Sequence, residues 1–186
     1  MSVVVADTGA GKALADLRLV DDEGSLHRLG DAWAVRPTVL AFLRHYGCIF
    51  CRLRVAQLMK RSAEIRAAGA GLALLGRGTP PMAHAFREES GFRGAMYVDP
   101  EGKAYGAAGM VRGAITRFLR PRVLMAAWRA RRKGFRQTKV AGDPYQLGGT
   151  LILAPGDRIV FAWRNVSAED DAPVHDVLAA LQAWAE

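Results

Sequence analysis

The chain has 186 residues, 51% hydrophobic and 24% charged, an ordinary composition for a globular protein long enough to bury a layered core. No window approaches the roughly 20 apolar residues of a membrane-spanning helix, and two cysteines exclude a disulfide-stapled secreted scaffold. The formal net charge is +8, but the excess belongs to one segment. Between Gly102 and Gly142 there is no acidic residue, while the remainder of the chain is roughly balanced.

The first residues, Met1 to Asp7, carry no charged leader and too short an apolar run for a signal peptide, so a cytoplasmic location is expected. Gly9-Ala10-Gly11-Lys12 has the glycines and lysine of a phosphate loop. It lacks the first glycine at the required spacing, and Ala13 stands where a hydroxyl should hold the metal. An opening hairpin is expected over 13–31, with Leu17 to Val20 and Ser25 to Leu29 on either side of Asp21-Asp22-Glu23-Gly24. Thr38-Val39-Leu40-Ala41-Phe42-Leu43 is an apolar strand running into a turn that holds both cysteines. From Ile49 to about Ala68, the spacing of Val55, Leu58, Met59 and Ile65 predicts one long helix that Gly69 and Gly71 end. Gly71 to Gly76 reads as a parallel strand buried on both faces. Pro80-Pro81 opens a helix to about Ser90, and Ala95 to Asp99 is the next strand.

Segment 104–146 breaks the alternation and is expected to be a basic helical insertion. Ile115 to Arg132 has helical periodicity through Phe118, Leu119, Val123, Leu124, Ala127 and Trp128, with Pro121 dividing it and Trp128 expected in the core. Two strands, Thr150 to Leu153 and Arg158 to Trp163, flank the hairpin turn Pro155-Gly156-Asp157. The last helix, Pro173 to Glu186, is expected to bury Val174, Val177, Leu178, Leu181 and Trp184. The pattern is that of an α/β sheet in one domain, 1–186, with the thiols at the C-terminal end of its first parallel strand. That end is where such sheets place ligands.

Cys48-Ile49-Phe50-Cys51 at a strand–turn–helix junction is the candidate site. The α-carbons at positions i and i+3 of a helix start lie roughly 5–6 Å apart, within reach of a disulfide. The unpaired N–H groups and partial positive charge of a helix N-terminus stabilise a thiolate, and Arg44, Arg52 and Arg54 add positive charge. The functional reading is a redox-active pair, with Cys48 the more exposed and Cys51, one turn in, of higher pKa. Two structural core cysteines and half of a zinc site are the alternatives. His45 either tunes Cys48 or is a strand-end side chain; Arg44 is the stronger electrostatic candidate.

Three stretches together carry a resemblance: Val39 to Arg52 around the cysteines, Gly142-Asp143-Pro144-Tyr145-Gln146-Leu147-Gly148-Gly149-Thr150-Leu151-Ile152-Leu153, and Arg158-Ile159-Val160-Phe161-Ala162-Trp163-Arg164. With the opening hairpin and last helix in matching order, nearly the whole chain resembles the peroxiredoxin-like branch of the alkyl hydroperoxide reductase/thiol-specific antioxidant group, within the thioredoxin-like superfamily. The resemblance implies a thioredoxin-like three-layer fold: a mixed central sheet, an N-terminal β-hairpin and the basic insertion before a C-terminal ββα unit. It also implies no bound cofactor, and reduction of hydroperoxides with electrons from a dithiol such as thioredoxin or glutathione. The candidate catalytic residues are Cys48, Cys51, Arg44 and His45, with Gly149 and Thr150 as the candidate substrate-binding positions.

Certain positions depart from the family pattern. Counting back from Cys48, His45 and Ala41 stand where typical peroxiredoxins carry Thr and Pro; counting from Cys51, Cys48 and Arg44 do. Gly148 takes the place of a peroxide-holding Arg, and Gly149 that of the thioredoxin Pro. Cys48 is favoured as the attacking thiol by exposure, and Cys51 by position if Cys48 replaces the Thr. Two other functions stay open: a dithiol–disulfide oxidoreductase without peroxidase activity, and a redox-sensing module that switches partner docking. The basic run Arg129 to Lys139 reads as a solvated face or lid. Partner docking is the alternative and nucleic-acid binding the remotest, since no recognisable motif accompanies the run.

Overall fold

The apolar runs of the sequence form the middle of a sheet. The computed structural model describes residues 8–113, 121–137, 143 and 145–185. Strands β3 (Thr38–Leu43), β4 (Gly71–Gly76) and β5 (Ala95–Val98) are parallel. The hairpin β1 (Arg18–Asp21) and β2 (Leu26–Arg28) adds antiparallel to β5, and the hairpin β6 (Gly149–Ala154) and β7 (Arg158–Arg164) adds antiparallel to β3. The seven-stranded order is β2-β1-β5-β4-β3-β6-β7. β3, from which the cysteine turn departs, therefore has a hydrogen-bonded neighbour on each side and every residue buried.

Alternation along β3 divides the core into two layers. Val39, Ala41 and Leu43 face one side with Leu74, Met96 and Ile152. They meet α2 (Ile49–Lys60), α3 (Ser62–Ala67), α4 (Pro80–Ser90), α6 (Pro121–Arg132) and α7 (Val174–Ala185) through Val55, Ile65, Phe86, Val123 and Leu181. Leu40 and Phe42 face the other side, with α1 (Thr8–Ala15), the 3-10 turn Leu29–Trp33 and α5 (Lys103–Ala107), through Leu14, Trp33 and Tyr105. This is the expected three-layer α/β arrangement with a mixed sheet.

Several local expectations change in the tertiary structure. The helix expected from Ile49 to Ala68 is two helices, broken at Arg61, whose N–H turns back to the carbonyls of Leu58 and Met59. The break lets Ile65 reach the core on a new axis. Gly11 lies inside α1, and a Cβ there would come within 1.8 Å of the Asp157 carbonyl. The glycine allows the helix to rest on the β6–β7 turn. The same turn is held by the Trp33 indole, whose Nε1–H donates to Asp157 Oδ1 at 2.9 Å.

Segment 104–146 begins inside the core, because Ala104, Tyr105 and Ala108 are buried beneath the sheet. The part of the expected helix between residues 114 and 120 lies outside the described residues. In α6 the buried side chains are Val123 and Ala130, and Trp128 points outward beneath the Arg132 guanidinium, 4.8 Å from its ring centre. Ala126, Ala127 and Ala130 let the helix sit close on the core, which leaves the bulky side chains outside. In α7, Val177, Leu178 and Leu181 are buried, while Trp184 is half-buried with Arg158 stacked on it.

Candidate active site

The turn from Arg44 to Cys48 is fastened before α2 begins. The Tyr46 hydroxyl donates to the Tyr97 carbonyl at 2.6 Å, and its ring occupies the space a Cβ on Gly76 would fill. Cys48 has extended backbone at the N-cap of α2; its N–H bonds the His45 carbonyl at 3.1 Å and its carbonyl accepts the Arg52 N–H at 3.1 Å. Cys51 follows in the first helical turn. A side chain from the basic segment reaches the same place: Gln137 Oε1 accepts the Ile49 N–H at 3.1 Å. It satisfies one of the donors that a helix start leaves free.

Both sulfurs are covered, with Cys48 1% and Cys51 6% exposed. The expectation that Cys48 is the more exposed is therefore corrected. An N-cap is open only when nothing packs over it, and here Phe86 packs on Tyr46 of the turn, ring centres 5.5 Å apart, and Gln137 reaches the Ile49 N–H.

Among the described residues, Arg44 directs its guanidinium at the Cys48 thiol. Its Nη1–H points at Cys48 Sγ across 3.6 Å, its Nε–H donates to the Gln146 carbonyl at 3.3 Å, and its backbone N–H donates to Cys51 Sγ at 3.2 Å. The Cys48 thiol is brought down to about 6 by the hydrogen bond from Cys51, helped by the Arg44 charge and the N–H groups of Cys51 and Phe50, against the opposing effect of burial. Burial and the neighbouring Cys48 sulfur push the Cys51 thiol up. Two thiols of one helical turn thus differ in acidity, because Cys48 takes the hydrogen bond from Cys51 and the Arg44 guanidinium while burial dominates at Cys51.

His45 contributes its backbone carbonyl to the turn. Its buried ring is brought down to about 4 by desolvation and by the Arg44 charge, so it is neutral at physiological pH, and its Nδ1 has no partner among the described residues.

Beneath Cys51 lies a polar cluster that the spacing of the cysteines did not announce. Arg54, one turn further along α2, is buried and donates to the Ala172 carbonyl at 2.6 Å and to Thr150 Oγ1 at 3.2 Å. Asp171 accepts from Asn165 Nδ2 at 3.2 Å, and burial pushes its carboxyl up to about 7 despite the pull of Arg54. The sequence marks Arg54 only as nearby positive charge; its burial beneath Cys51 comes from the fold. Asp171, in the run Glu169-Asp170-Asp171, carried no local signal.

Gly149 lines a cavity of about 10 Å³ together with Cys51, Arg44, Arg54 and Asp171, near the lower limit for a single water molecule. Thr150 stands behind it as the acceptor for Arg54. A Cβ at Gly148 would lie 2.1 Å from the Phe42 carbonyl, so no arginine fits there. The cations near the thiols come from the other side, as Arg44 and Arg54. A groove of about 570 Å³ opens between α2, α6 and the start of α7; Phe50 and Asp171 line it, but neither sulfur does.

Residues 57–167 match the family described as AhpC/TSA antioxidant enzyme, a span that begins after the cysteine turn. Thioredoxin-like protein AAED1, chloroplastic, of Arabidopsis thaliana is 34% identical over 97% of this chain and 80% of its own length. Peroxiredoxin-like 2C of Mus musculus is 32% identical over 89% of this chain and 77% of its own. Among solved structures, peroxidoxin BcpB from Mycobacterium tuberculosis aligns with a TM-score of 0.69 at 16% identity, covering 97% of both chains. Xanthomonas campestris peroxiredoxin Q aligns with a TM-score of 0.68 at 20% identity, covering 100% of this chain and 99% of that one. These structural likenesses carry the fold.

Proposed function

The chain belongs to the AhpC/TSA antioxidant enzyme family and is a thiol-dependent oxidoreductase; we propose that it reduces hydroperoxides with Cys48 as the attacking thiol and Cys51 as the resolving one. The observation that carries this assignment is the placement of Cys48 at the N-cap of α2 with the Arg44 Nη1–H pointing at its sulfur across 3.6 Å, in line with a Cys48 thiol lowered to about 6 and a Cys51 thiol pushed up. At neutral pH the first is largely thiolate and the second largely thiol.

The Cys48 thiolate attacks one peroxide oxygen. An S–O bond forms, the O–O bond breaks, and the departing alkoxide or hydroxide takes a proton to leave as alcohol or water. Cys48 is oxidised to a sulfenic acid while the peroxide is reduced. Cys51 then attacks the Cys48 sulfur. The S–S bond forms, and the sulfenic oxygen leaves with the Cys51 proton as water. An external dithiol, of the thioredoxin or glutathione type, reduces the disulfide by exchange. Arg44 acts throughout as the fixed cation beside Cys48. Gly149 borders the space next to Cys51, and Thr150 holds Arg54 in place. Both sulfurs are covered, so substrate entry requires the chain over the turn to move, a gating step. Two cysteines in 186 residues give no disulfide scaffold of the secreted kind, and we assign the chain to the cytoplasm.

A second reading is favoured by His45 and Ala41, which replace the Thr and Pro of typical peroxiredoxins: a dithiol–disulfide oxidoreductase with protein disulfides as substrates. Stopped-flow reduction of hydrogen peroxide and an alkyl hydroperoxide, beside an insulin-disulfide assay, decides between them. Peroxide rate constants well above those of a free thiol of the same pKa are expected. Rates no better than that thiol, with insulin reduced, would transfer the assignment to the second reading.

A further inference from the structure

The outer face of α6 takes no part in the chemistry above. Leu124, Met125 and Trp128 are 59%, 54% and 58% exposed, although large apolar side chains at helical spacing normally turn inward. At about 100° per residue, these three share one arc. The opposite arc, Val123, Ala126, Ala127 and Ala130, is the one packed on the core. Arginines border the exposed arc on both sides, Arg131 on one edge and Arg122 and Arg129 on the other, while Arg132 stacks on Trp128 within it. Lys133 and Arg136 follow, also exposed. No acidic residue occurs between Gly102 and Gly142 to neutralise them.

We propose that α6 is a peripheral docking element for anionic lipid surfaces, lying in the plane of the interface with Leu124, Met125 and Trp128 toward the acyl chains and the flanking arginines among the headgroups. Twelve residues cannot cross a bilayer, but a helix that length can lie along one. Nucleic acid would use the arginines and gain nothing from the apolar arc. A groove on an acidic protein would enclose anchors, yet here the arc is convex and fringed by cations whose aliphatic stems can follow it down while the guanidinium groups stay at headgroup level. Tryptophan at that level is the usual interfacial anchor.

The test is sedimentation of the full chain with vesicles of phosphatidylcholine, and with vesicles in which one third of that lipid is replaced by phosphatidylglycerol. Binding to the anionic vesicles is expected to be at least about tenfold tighter and to weaken with salt. Brominated acyl chains should quench part of the tryptophan fluorescence, and Trp128→Phe should lose that quenched part while still binding. A Leu124→Ser/Met125→Ser/Trp128→Ser variant should release the vesicles while its circular dichroism and peroxide turnover in solution stay unchanged. The proposal is overturned by absence of binding, or by binding that the triple variant keeps and bromine does not quench, which is charge attraction alone. Binding to polyglutamate but not to vesicles would overturn it in favour of an acidic protein partner.

Discussion

Helices α2 and α6 lie against the same core layer, and the arginines associated with each have opposite fates. Arg44 and Arg54, beside and within α2, are 8% and 3% exposed, and their donors are directed to the carbonyls of Gln146 and Ala172 and to the Thr150 hydroxyl. Arg122, Arg129, Arg131 and Arg132 of α6 stand in solvent. A guanidinium can be buried this way because its planar fork can meet several acceptors while keeping its charge. Inside, the charge acts over short range with little screening and helps to lower the pKa of a thiol. Outside, salt screens it beyond about 8 Å, so it governs encounters with other surfaces. Equal charge therefore serves chemistry in one place and association in the other, and burial decides which.

The comparison can be broken most severely at the sulfurs. Cys48→Ser should abolish peroxide reduction. Cys51→Ser should keep the first step and stop at the sulfenic acid, seen in intact mass spectrometry as one added oxygen after one equivalent of peroxide. If Cys48→Ser instead leaves the oxidised species on Cys51, the roles are reversed.

Next comes the buried cation. The wild-type rate should rise through about pH 6 and level off above it, as thiolate forms. Arg44→Met should move this rise to higher pH and lower the rate at pH 7 by about 2–10-fold. Arg129→Gln with Arg131→Gln should leave the profile where it was. A matching shift from the surface pair would erase the distinction drawn between inside and outside.

The third concerns Asp171, whose folded pKa is raised from 3.8 to about 7. Its protonated form is favoured in the fold, so the associated stability is fully present below pH 3.8 and lost as pH rises through about 7. Asp171→Asn should therefore gain on the wild type over that interval, by up to about 4 kcal/mol at pH 8. Thermal or urea unfolding across pH 4–8 measures it, and a difference that does not change with pH would remove the burial argument.

The smallest effect is expected at Gln137, where basic segment and cysteine turn touch. Gln137→Ala leaves the Ile49 N–H without this acceptor and should cost about 1 kcal/mol, while iodoacetamide labels Cys48 faster. Unchanged labelling would mean that the cover over the turn does not depend on this contact.

Much of the scaffold was legible locally. The buried parallel strands were readable from Thr38 to Leu43 and Gly71 to Gly76, the late hairpin from Pro155-Gly156-Asp157, and α4 from Pro80-Pro81. Each of these signals lies within a few neighbouring residues. The misread places were those where a partner from far along the chain decides. Gly11 had no assigned role once the phosphate-loop reading was set aside, and its missing Cβ is explained only by the Asp157 carbonyl; Trp128 looked like core because periodicity does not say which of two apolar arcs will be covered.

The sequence by itself determined that two thiols sit one turn apart at the end of a central strand, with a cation four residues before the first. It also determined that the positive charge is concentrated in one segment. Only the tertiary structure decided that both thiols are covered, that the Arg44 guanidinium points at Cys48, and that Asp171 joins Arg54 beneath Cys51. Acidity and access depend on solvent exclusion and on partners such as Gln146 and Ala172, more than a hundred residues away from the arginines they hold. No pattern of local spacing contains that distance.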